Sequence, residues 1–355
     1  MINRSIHEKY MQRCIDLAKL GLGNTAPNPM VGSVIVHNNQ IIGEGYHRKF
    51  GESHAEVNAI NSVKNKDLLK GSTIYVNLEP CSHFGKTPPC ANLIADVGIP
   101  NVVIGSIDTA SHVSGKGIQI LKNANVYVIQ DVLENECKEL NKRFFSFHEK
   151  KRPYIILKWA QTQDGFIDII RSNSQPKNPT WITNEYSKTL VHKWRAEEQA
   201  ILVGTNTVYQ DNPSLTTRNW LGKNPLRVVL DRELKLKPSL NVFNKEAKTI
   251  IIADNSMKDT ALRNYSNQTS IEFIDYSKDF QTQLFEILNK RNILSIIVEG
   301  GEQVLNSFIK NSFWDEALVF EGNKFFKKGI KAPDLKHYIN ANEQLGSSKL
   351  GFIKK

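Results

Sequence analysis

Apolar residues recur at helical spacing near the start of the chain, with Met11, Ile15 and Ala18 on one face until Gly21 and Gly23 stop the run. Ser5-Ile6-His7-Glu8 has the form of a capping box, so the chain is expected to open on a helix. The pattern then turns strand-like over 31–36 and 40–43, around an Asn38-Asn39 turn, and a helix is expected from near His54. Residues 73–78 read as a strand. Residues 90–97 read as a helix with Leu93, Ile94 and Val97 on one face. Two more strands are expected at 101–105 and 125–129, with a helix around 118–121 between them. This alternation predicts an α/β layer fold.

At His148-Glu149-Lys150-Lys151-Arg152-Pro153 the charge density rises and a proline precedes a new apolar run, so the chain is expected to divide into domains at 1–149 and 150–355. A length of 355 residues agrees with two domains of roughly 150 residues or more. A second α/β series follows, with strand patterns at 154–158, 200–203, 227–230, 249–253, 293–298 and 317–320. The polar stretch 171–180 reads as a mobile loop. The lysine-rich tail beyond Asn323 shows no pattern that predicts an element.

Composition narrows the class without naming a function. Apolar residues make up 40% and charged residues 23%, which excludes fibrous and disordered readings. The most apolar stretch, 293–298, is interrupted by Ser295 and is far shorter than the ~18 residues a membrane-spanning helix needs. The N-terminus lacks the apolar core of a secretory signal, so a cytoplasmic location is expected. A net charge of +10 favours polyanionic or phosphorylated partners, and both nucleic acid and phosphate-bearing metabolites fit it. Four cysteines are too few for a disulfide framework and point to buried, catalytic or metal-bound thiols.

Two of those cysteines carry chemistry. His54-Ala55-Glu56 is followed by Pro80-Cys81 and then Cys90. One His and two Cys give a zinc ion three ligands and leave its fourth position open, as in a catalytic site, with one zinc expected per chain. Glu56, two residues from a ligand, is placed to move a proton between a bound water and a leaving group. The pattern resembles the H-x-E then P-C-x-x-C signature of zinc deaminases, but with eight residues rather than two between the cysteines. His83 lies inside that spacing as a candidate extra ligand, although His54 and the two Cys already supply the three that a catalytic zinc needs. Cys14 and Cys137 fall on amphipathic helical segments and read as core.

Thr25-Ala26-Pro27-Asn28-Pro29-Met30-Val31-Gly32, Gly45-Tyr46-His47, His54-Ala55-Glu56-Val57 and the run from Leu78 to Cys90 containing Gly85-Lys86-Thr87-Pro88-Pro89 together resemble the bifunctional pyrimidine deaminase/reductase family of riboflavin biosynthesis. The resemblance implies a cytidine-deaminase-like first domain in which Asn28, His47, Lys86 and Thr87 contact a phosphoribosylamino-pyrimidine. Asn presents donor and acceptor to a base edge and Lys binds phosphate, although Asn28 between two prolines also reads as a turn former and Lys86 as a surface charge.

No G-x-G-x-x-G follows a strand in 154–355. Instead Glu299-Gly300-Gly301-Glu302-Gln303-Val304 follows an apolar strand, where backbone N–H groups at a helix start suit a pyrophosphate, or where the glycines make an ordinary turn. The resemblance continues through Arg152-Pro153-Tyr154, Asp164-Gly165, Trp181-Ile182-Thr183, Val191-His192, Arg195-Ala196, 200–204, Asp211-Asn212-Pro213 and 227–231. It implies a dihydrofolate-reductase-like α/β domain. In it Ala160, Trp181, Thr207, Asp211 and Gly300, Gly301, Glu302, Gln303 and Val304 line the NADPH site, while Arg195, Leu215, Arg218 and Glu299 hold the substrate. Lys158 and Glu299 then assist ribose opening or protonation.

The implied sequence of reactions is zinc-dependent hydrolytic deamination of 2,5-diamino-6-(5-phosphoribosylamino)pyrimidin-4-one, then NADPH-dependent reduction of the ribosyl chain to ribityl. The chain departs from the family at Pro179, where a serine usually stands, at Gln161-Thr162-Gln163, and throughout the tail. Ser172, Ser174 or Thr180 could replace the serine contact. The expected partner is the phosphorylated pyrimidine, with no nucleic acid or membrane and with homo-oligomerisation left open. Two other classes compete. A tRNA-type zinc deaminase with a basic RNA-binding second half suits the charge but lacks an aromatic-interleaved basic motif, and a zinc-stabilised binding protein would need a fourth protein ligand.

Overall fold

A computed structural model describes residues 4–82, 88–109, 115–171, 179–260, 265–335 and 341–355. The chain separates into two units, Met1–Lys151 and Arg152–Lys355.

In the first unit, helix α1 (Arg4–Lys19) precedes strands β1 (Gly32–His37) and β2 (Gln40–Tyr46), then α2 (Ala55–Ser62), β3 (Thr73–Leu78), α3 (Cys90–Asp96), β4 (Asn101–Ser106), α4 (Lys116–Asn123), β5 (Tyr127–Ile129), α5 (Glu134–Leu140) and α6 (Lys142–Lys150). The strands form one sheet in the order β2-β1-β3-β4-β5, antiparallel on its β2-β1-β3 side and parallel through β3, β4 and β5. Alternation along each strand divides its side chains between two layers. Ile35, Ile74, Val76, Val102 and Ile104 pack with residues of α2, α3 and α4, whereas Val34, Val36, Tyr75 and Val103 pack with α1 and α5. Gly32 lets α1 lie against the sheet, because a Cβ there would come within 2.1 Å of the Cys14 carbonyl oxygen. Cys14 and Cys137 are fully buried in this layer, as expected of core thiols. The expected capping box is corrected: Ser5 lies within α1, the described part of which runs from Arg4, and Glu8 pairs with Arg4 at 3.1 Å.

The second unit contains β6 (Tyr154–Gln161), β7 (Phe166–Asp168), α7 (Glu185–Glu197), β8 (Ala200–Gly204), α8 (Thr205–Asp211), β9 (Leu226–Leu230), β10 (Thr249–Asp254), β11 (Thr269–Ile274), α9 (Phe280–Lys290), β12 (Ser295–Val298), α10 (Glu302–Lys310), β13 (Glu316–Glu321), β14 (Ile330–Lys331), β15 (Ala341–Leu345) and β16 (Ser348–Lys354). Its main sheet runs β11-β10-β9-β8-β12-β6-β13-β16-β15. All neighbours from β11 to β13 are parallel, and β16 and β15 are then added antiparallel. Ile155, Leu157, Ala200 and Leu202 face α9 and α10, while Tyr154 and Ile156 face α7, and Ile201 and Val203 face the layer of α8 and Leu234. Among the described residues no helix is long and apolar enough to cross a membrane.

The sequence pattern misses β11 and the β15–β16 hairpin. Every side chain of β15 except Leu345 is exposed, and the apolar residues of β16 are broken up by Lys349, Gly351 and Lys354, so neither gives the continuous apolar run of the central strands. The expected strand at 293–298 begins instead at Ser295. The stretch read as a mobile loop falls largely on 172–178, outside the described residues.

Arg227 on β9 ties the loops on this side of the sheet together. It is fully buried and donates to the carbonyls of Ser214, Asn241, Asn244 and Ala247, to Asn244 Oδ1 and to Thr249 Oγ1. Removing the guanidinium leaves several buried acceptors without donors. Arg227→Met should therefore lower the stability of this unit by at least about 3 kcal/mol, and Arg227→Lys should recover little, because one ammonium cannot reproduce the planar fork. Denaturant unfolding of the purified variants checks both.

Candidate active sites of the two units

In the first unit the strand-to-helix junctions converge. His54 is the N-cap of α2, Cys81 follows the end of β3, and Cys90 is the first residue of α3. The Nδ1 of His54 lies 3.5 Å from Cys81 Sγ and 3.3 Å from Cys90 Sγ. Those separations fit the edges of a tetrahedron with metal bonds of about 2.0–2.3 Å, and one imidazole with two thiolates is a zinc donor set. Among the described residues these three are the one cluster of His, Cys, Asp and Glu with ligand atoms this close. His83 lies outside the described residues, as do Lys86 and Thr87.

The site's electrostatics favour one anionic sulfur, that of Cys81, whereas the Cys90 thiol is pushed up by its bond to Cys81 and by burial. Hydrogen bonds from the Cys90 thiol and from His54 hold the Cys81 thiol down to about 4, and the Cys90 backbone N–H adds a bond to Cys81 Sγ at 3.3 Å. His54 is raised to about 9, chiefly by its bond to Cys81. Glu56, in the first turn of α2 and 3% exposed, is pushed up to about 7 by burial, close to the value a general acid–base needs at neutral pH.

Asn28 and His47 stand beside this cluster. Asn28 Nδ2 donates to His47 Nε2 at 3.2 Å, and His47 Nδ1 donates to the Ser53 carbonyl at 3.1 Å, which fixes the imidazole tautomer. The His47 ring meets the His54 ring edge-on at 5.6 Å. Burial lowers the His47 pKa, so its neutral form prevails and Asn28 Oδ1 is left to accept from a ligand.

Sequence reasoning assigned no role to Glu79, whose buried carboxylate accepts from the backbone N–H groups of Gly117 at 2.9 Å, Gly115 at 3.0 Å, Asp108 at 3.3 Å and Ile118 at 3.4 Å. It anchors the segment before Cys81 to the start of α4.

In the second unit every residue expected at the reductase site lines one cavity of about 1010 Å³ at the carboxyl ends of β6, β8, β9 and β12. Glu299 follows β12 and is 8% exposed at its side chain. Its carboxylate accepts from Arg195 Nε at 3.1 Å and NH2 at 2.8 Å, and from Lys158 Nζ at 3.5 Å. Burial alone would raise the Glu299 pKa, but Arg195 and then Lys158 overcome it and hold the carboxyl at about 2. Burial, only partly offset by Glu299, pushes the Lys158 ammonium down from its ordinary value.

Arg195 also donates to the Thr216 carbonyl at 3.4 Å, so all three of its donor nitrogens are engaged. Arg218 presents a less committed guanidinium, bonded through NH1 to Thr216 Oγ1 at 3.2 Å. Leu215, 2% exposed, packs in the cavity wall with the left-handed φ of +54° that the turn requires.

The rest of the cavity fits a dinucleotide. Gly300, at φ +113°, and Gly301 lead into α10, and a Cβ on Gly301 would approach Thr207 Oγ1 to 3.2 Å, so backbone rather than side chain lines this cradle. Glu302, Gln303 and Val304 form the first turn of α10. Asp211 ends α8 at 3.7 Å from Arg171, and its pKa is raised to about 6 by burial and by Asp168. Trp181 is half exposed beneath Lys188, whose Nζ lies 4.7 Å from its ring centre. Ala160 on β6 completes the lining.

Comparisons with known proteins match both halves. Residues 4–106 match the cytidine and deoxycytidylate deaminase zinc-binding region, and 153–326 match the RibD C-terminal domain. The chain is 40% identical to the riboflavin biosynthesis protein RibD of Aquifex aeolicus over 94% of its own length and 91% of that protein's, and 40% identical to that of Bacillus amyloliquefaciens over 93% and 88%. It superposes on a diaminohydroxyphosphoribosylaminopyrimidine deaminase/5-amino-6-(5-phosphoribosylamino)uracil reductase of Thermotoga maritima with a TM-score of 0.86, 37% identity and 99% coverage of each chain. RibD of Acinetobacter baumannii gives the same TM-score and coverage at 28% identity.

Two measurements test this geometry. Elemental analysis should find zinc in Cys14→Ser and Cys137→Ser but not in Cys81→Ser, and equal zinc in all three would refute the ligand set. The second concerns His192, which is 2% exposed and accepts the Arg218 backbone N–H at Nδ1, 3.1 Å away. Burial, reinforced by Arg195 and Arg218, lowers its pKa from 6.5 to about 4. A depressed imidazole stabilises the fold fully above its unfolded value of 6.5 and less as pH falls toward 4, at up to about 1.4 kcal/mol per pH unit. Unfolding free energies measured between pH 7 and 4 should show this slope in the parent and lose it in His192→Gln.

Proposed function

The chain belongs to the RibD family of riboflavin biosynthesis, and from that premise we propose how its own residues divide the two reactions. The protein is a bifunctional enzyme, a zinc-dependent pyrimidine deaminase followed by an NADPH-dependent reductase. The observation that carries the deaminase assignment is the convergence of His54, Cys81 and Cys90 beside a buried Glu56 whose pKa stands near 7.

His54, Cys81 and Cys90 hold the metal, which when bound makes a water acidic enough to act as a nucleophile near neutral pH. Glu56 takes the proton of the attacking water and delivers it to the exocyclic amino group, so that oxygen joins the ring carbon and ammonia leaves. Asn28 Oδ1 accepts from the pyrimidine edge, and His47 holds the Asn28 amide in that orientation through the bond at Nε2. Lys86 and Thr87 take the ribose phosphate in this reading.

In the reductase, Gly300 to Val304 and the start of α10 hold the cofactor pyrophosphate, with Ala160, Trp181, Thr207 and Asp211 around the remainder. NADPH, when bound there, would supply the hydride that reduces the ribose carbon. Lys158, an ammonium with lowered pKa beside the ionised Glu299, gives the proton to the ring oxygen as the sugar opens. Arg218 contacts the substrate phosphate. Arg195 is already committed to Glu299 and the Thr216 carbonyl, so its part is to hold Glu299 ionised and in place. Leu215 forms an apolar wall for the base. The substrate is thus a phosphoribosylamino-pyrimidine used in the cytoplasm, and the match of the second half to a reductase family supports this over an RNA-binding module.

Two variants test the division. Glu56→Gln should lose at least ~10²-fold in deamination while reduction of supplied deaminated substrate persists, and a joint collapse of both rates would refute separate sites. Arg218→Ala should lose roughly tenfold to a hundredfold in reductase kcat/KM with the phosphorylated substrate and much less with the dephosphorylated one. An equal fractional loss with both substrates would remove Arg218 from the phosphate.

A further inference from the structure

The loop that carries Asn28 has no regular secondary structure of its own between α1 and β1, yet its backbone is held at one point by two buried side-chain amides. Asn141, 2% exposed, accepts the Met30 N–H at Oδ1, 2.8 Å away, and donates from Nδ2 to the Met30 carbonyl at 2.9 Å. It pairs with both backbone groups of one residue, as a neighbouring strand would. Asn77 on β3, fully buried, donates to the same carbonyl at 3.1 Å and accepts the Gly32 N–H at 2.7 Å. Met30 is two residues from Asn28, whose amide meets His47 beside the metal ligands.

Asn141 lies at the joint between α5 and α6, ending one helix and preceding the other. It is 111 residues from Met30 in sequence and beyond residue 106, where the match to the deaminase zinc-binding region ends. A helix joint is a rigid platform, because the backbone on either side is fixed by its own ladder. The contact is also demanding: a buried amide with both polar ends matched is stable, whereas truncation leaves the Met30 N–H without a partner.

We propose that Asn141 is a positioning residue of the deaminase, fixing the Met30 peptide so that Asn28 meets the pyrimidine. This inference rests on Asn28 being a substrate contact. Asn141 touches neither substrate nor metal, so its loss acts through binding geometry and leaves the zinc ligands and the reductase untouched.

The test is a double-mutant cycle in the full-length zinc-loaded enzyme, with Asn28→Ala, Asn141→Ala and the pair, read as KM and kcat for deamination, zinc content and reductase rate. Asn141→Ala should raise the deamination KM about tenfold or more, with zinc stoichiometry and reductase rate unchanged. In the Asn28→Ala background it should cost little further, because the residue it positions is already gone. Asn141→Asp keeps the acceptor for the Met30 N–H and should recover part of the loss. Hydrogen exchange at the Met30 amide should quicken in Asn141→Ala in either background. A KM unchanged in Asn141→Ala while Asn28→Ala is impaired would overturn the inference alone. An unimpaired Asn28→Ala would overturn the substrate reading on which it rests. Losses that multiply in the pair, or that extend to zinc and reduction, would show Asn141 to be merely structural.

Discussion

Parallel strands covered on both faces leave polar chemistry only one outlet, the ends where the strands stop. In the second unit seven strands run in parallel with apolar residues toward both layers, and the ionisable groups of the cavity gather where β6, β8, β9 and β12 run out. The first unit obeys the same constraint on a smaller scale, since Cys81 follows β3 and the other two members of the cluster, His54 and Cys90, begin helices that cover the sheet. Function thus sits on the loops, and the sheets fix the distances between them.

The two sites solve the problem of buried charge in different ways. Near Glu299 one carboxylate is surrounded by Arg195 and Lys158, so the cluster carries a surplus positive charge that suits phosphate-bearing ligands. Near Cys81 one lowered thiol, a raised thiol at Cys90, His54 and the buried Glu56 crowd together, a donor set that suits a divalent cation. The overall basicity of the chain therefore says less about function than the groups gathered at each site.

Much of this was legible in the residues. The His54, Cys81 and Cys90 spacing and the central strands could be read because zinc geometry and two-sided burial each leave a strict pattern. Less visible were features that depend on distant partners. Nothing in the sequence marks Asn141 or Asn77 as clamps, since an asparagine in a helix joint or a strand looks the same whether or not a backbone meets it. Arg195 and Arg218 look alike as two arginines of one motif region, and only the fold shows the first engaged by Glu299 and the second facing the cavity. The terminal hairpin was hidden because β15 is an edge strand with an almost fully exposed, polar sequence, and β16 is short of apolar residues, with Lys349, Gly351 and Lys354 among Leu350, Phe352 and Ile353.

The clasp between Met30 and the α5–α6 joint also sets a timetable for synthesis. The His54, Cys81 and Cys90 cluster and every strand but β5 of the first sheet precede residue 107. Asn141 follows 35 residues after the end of the deaminase match at 106, a delay of about 2–7 s at the usual 5–20 residues per second. During that interval Asn77 is the one half of the clasp already made, and the Met30 N–H still waits for its acceptor. The two halves of the clasp are therefore separated in the life of the polypeptide, and the second waits for the segment that leads into the second unit.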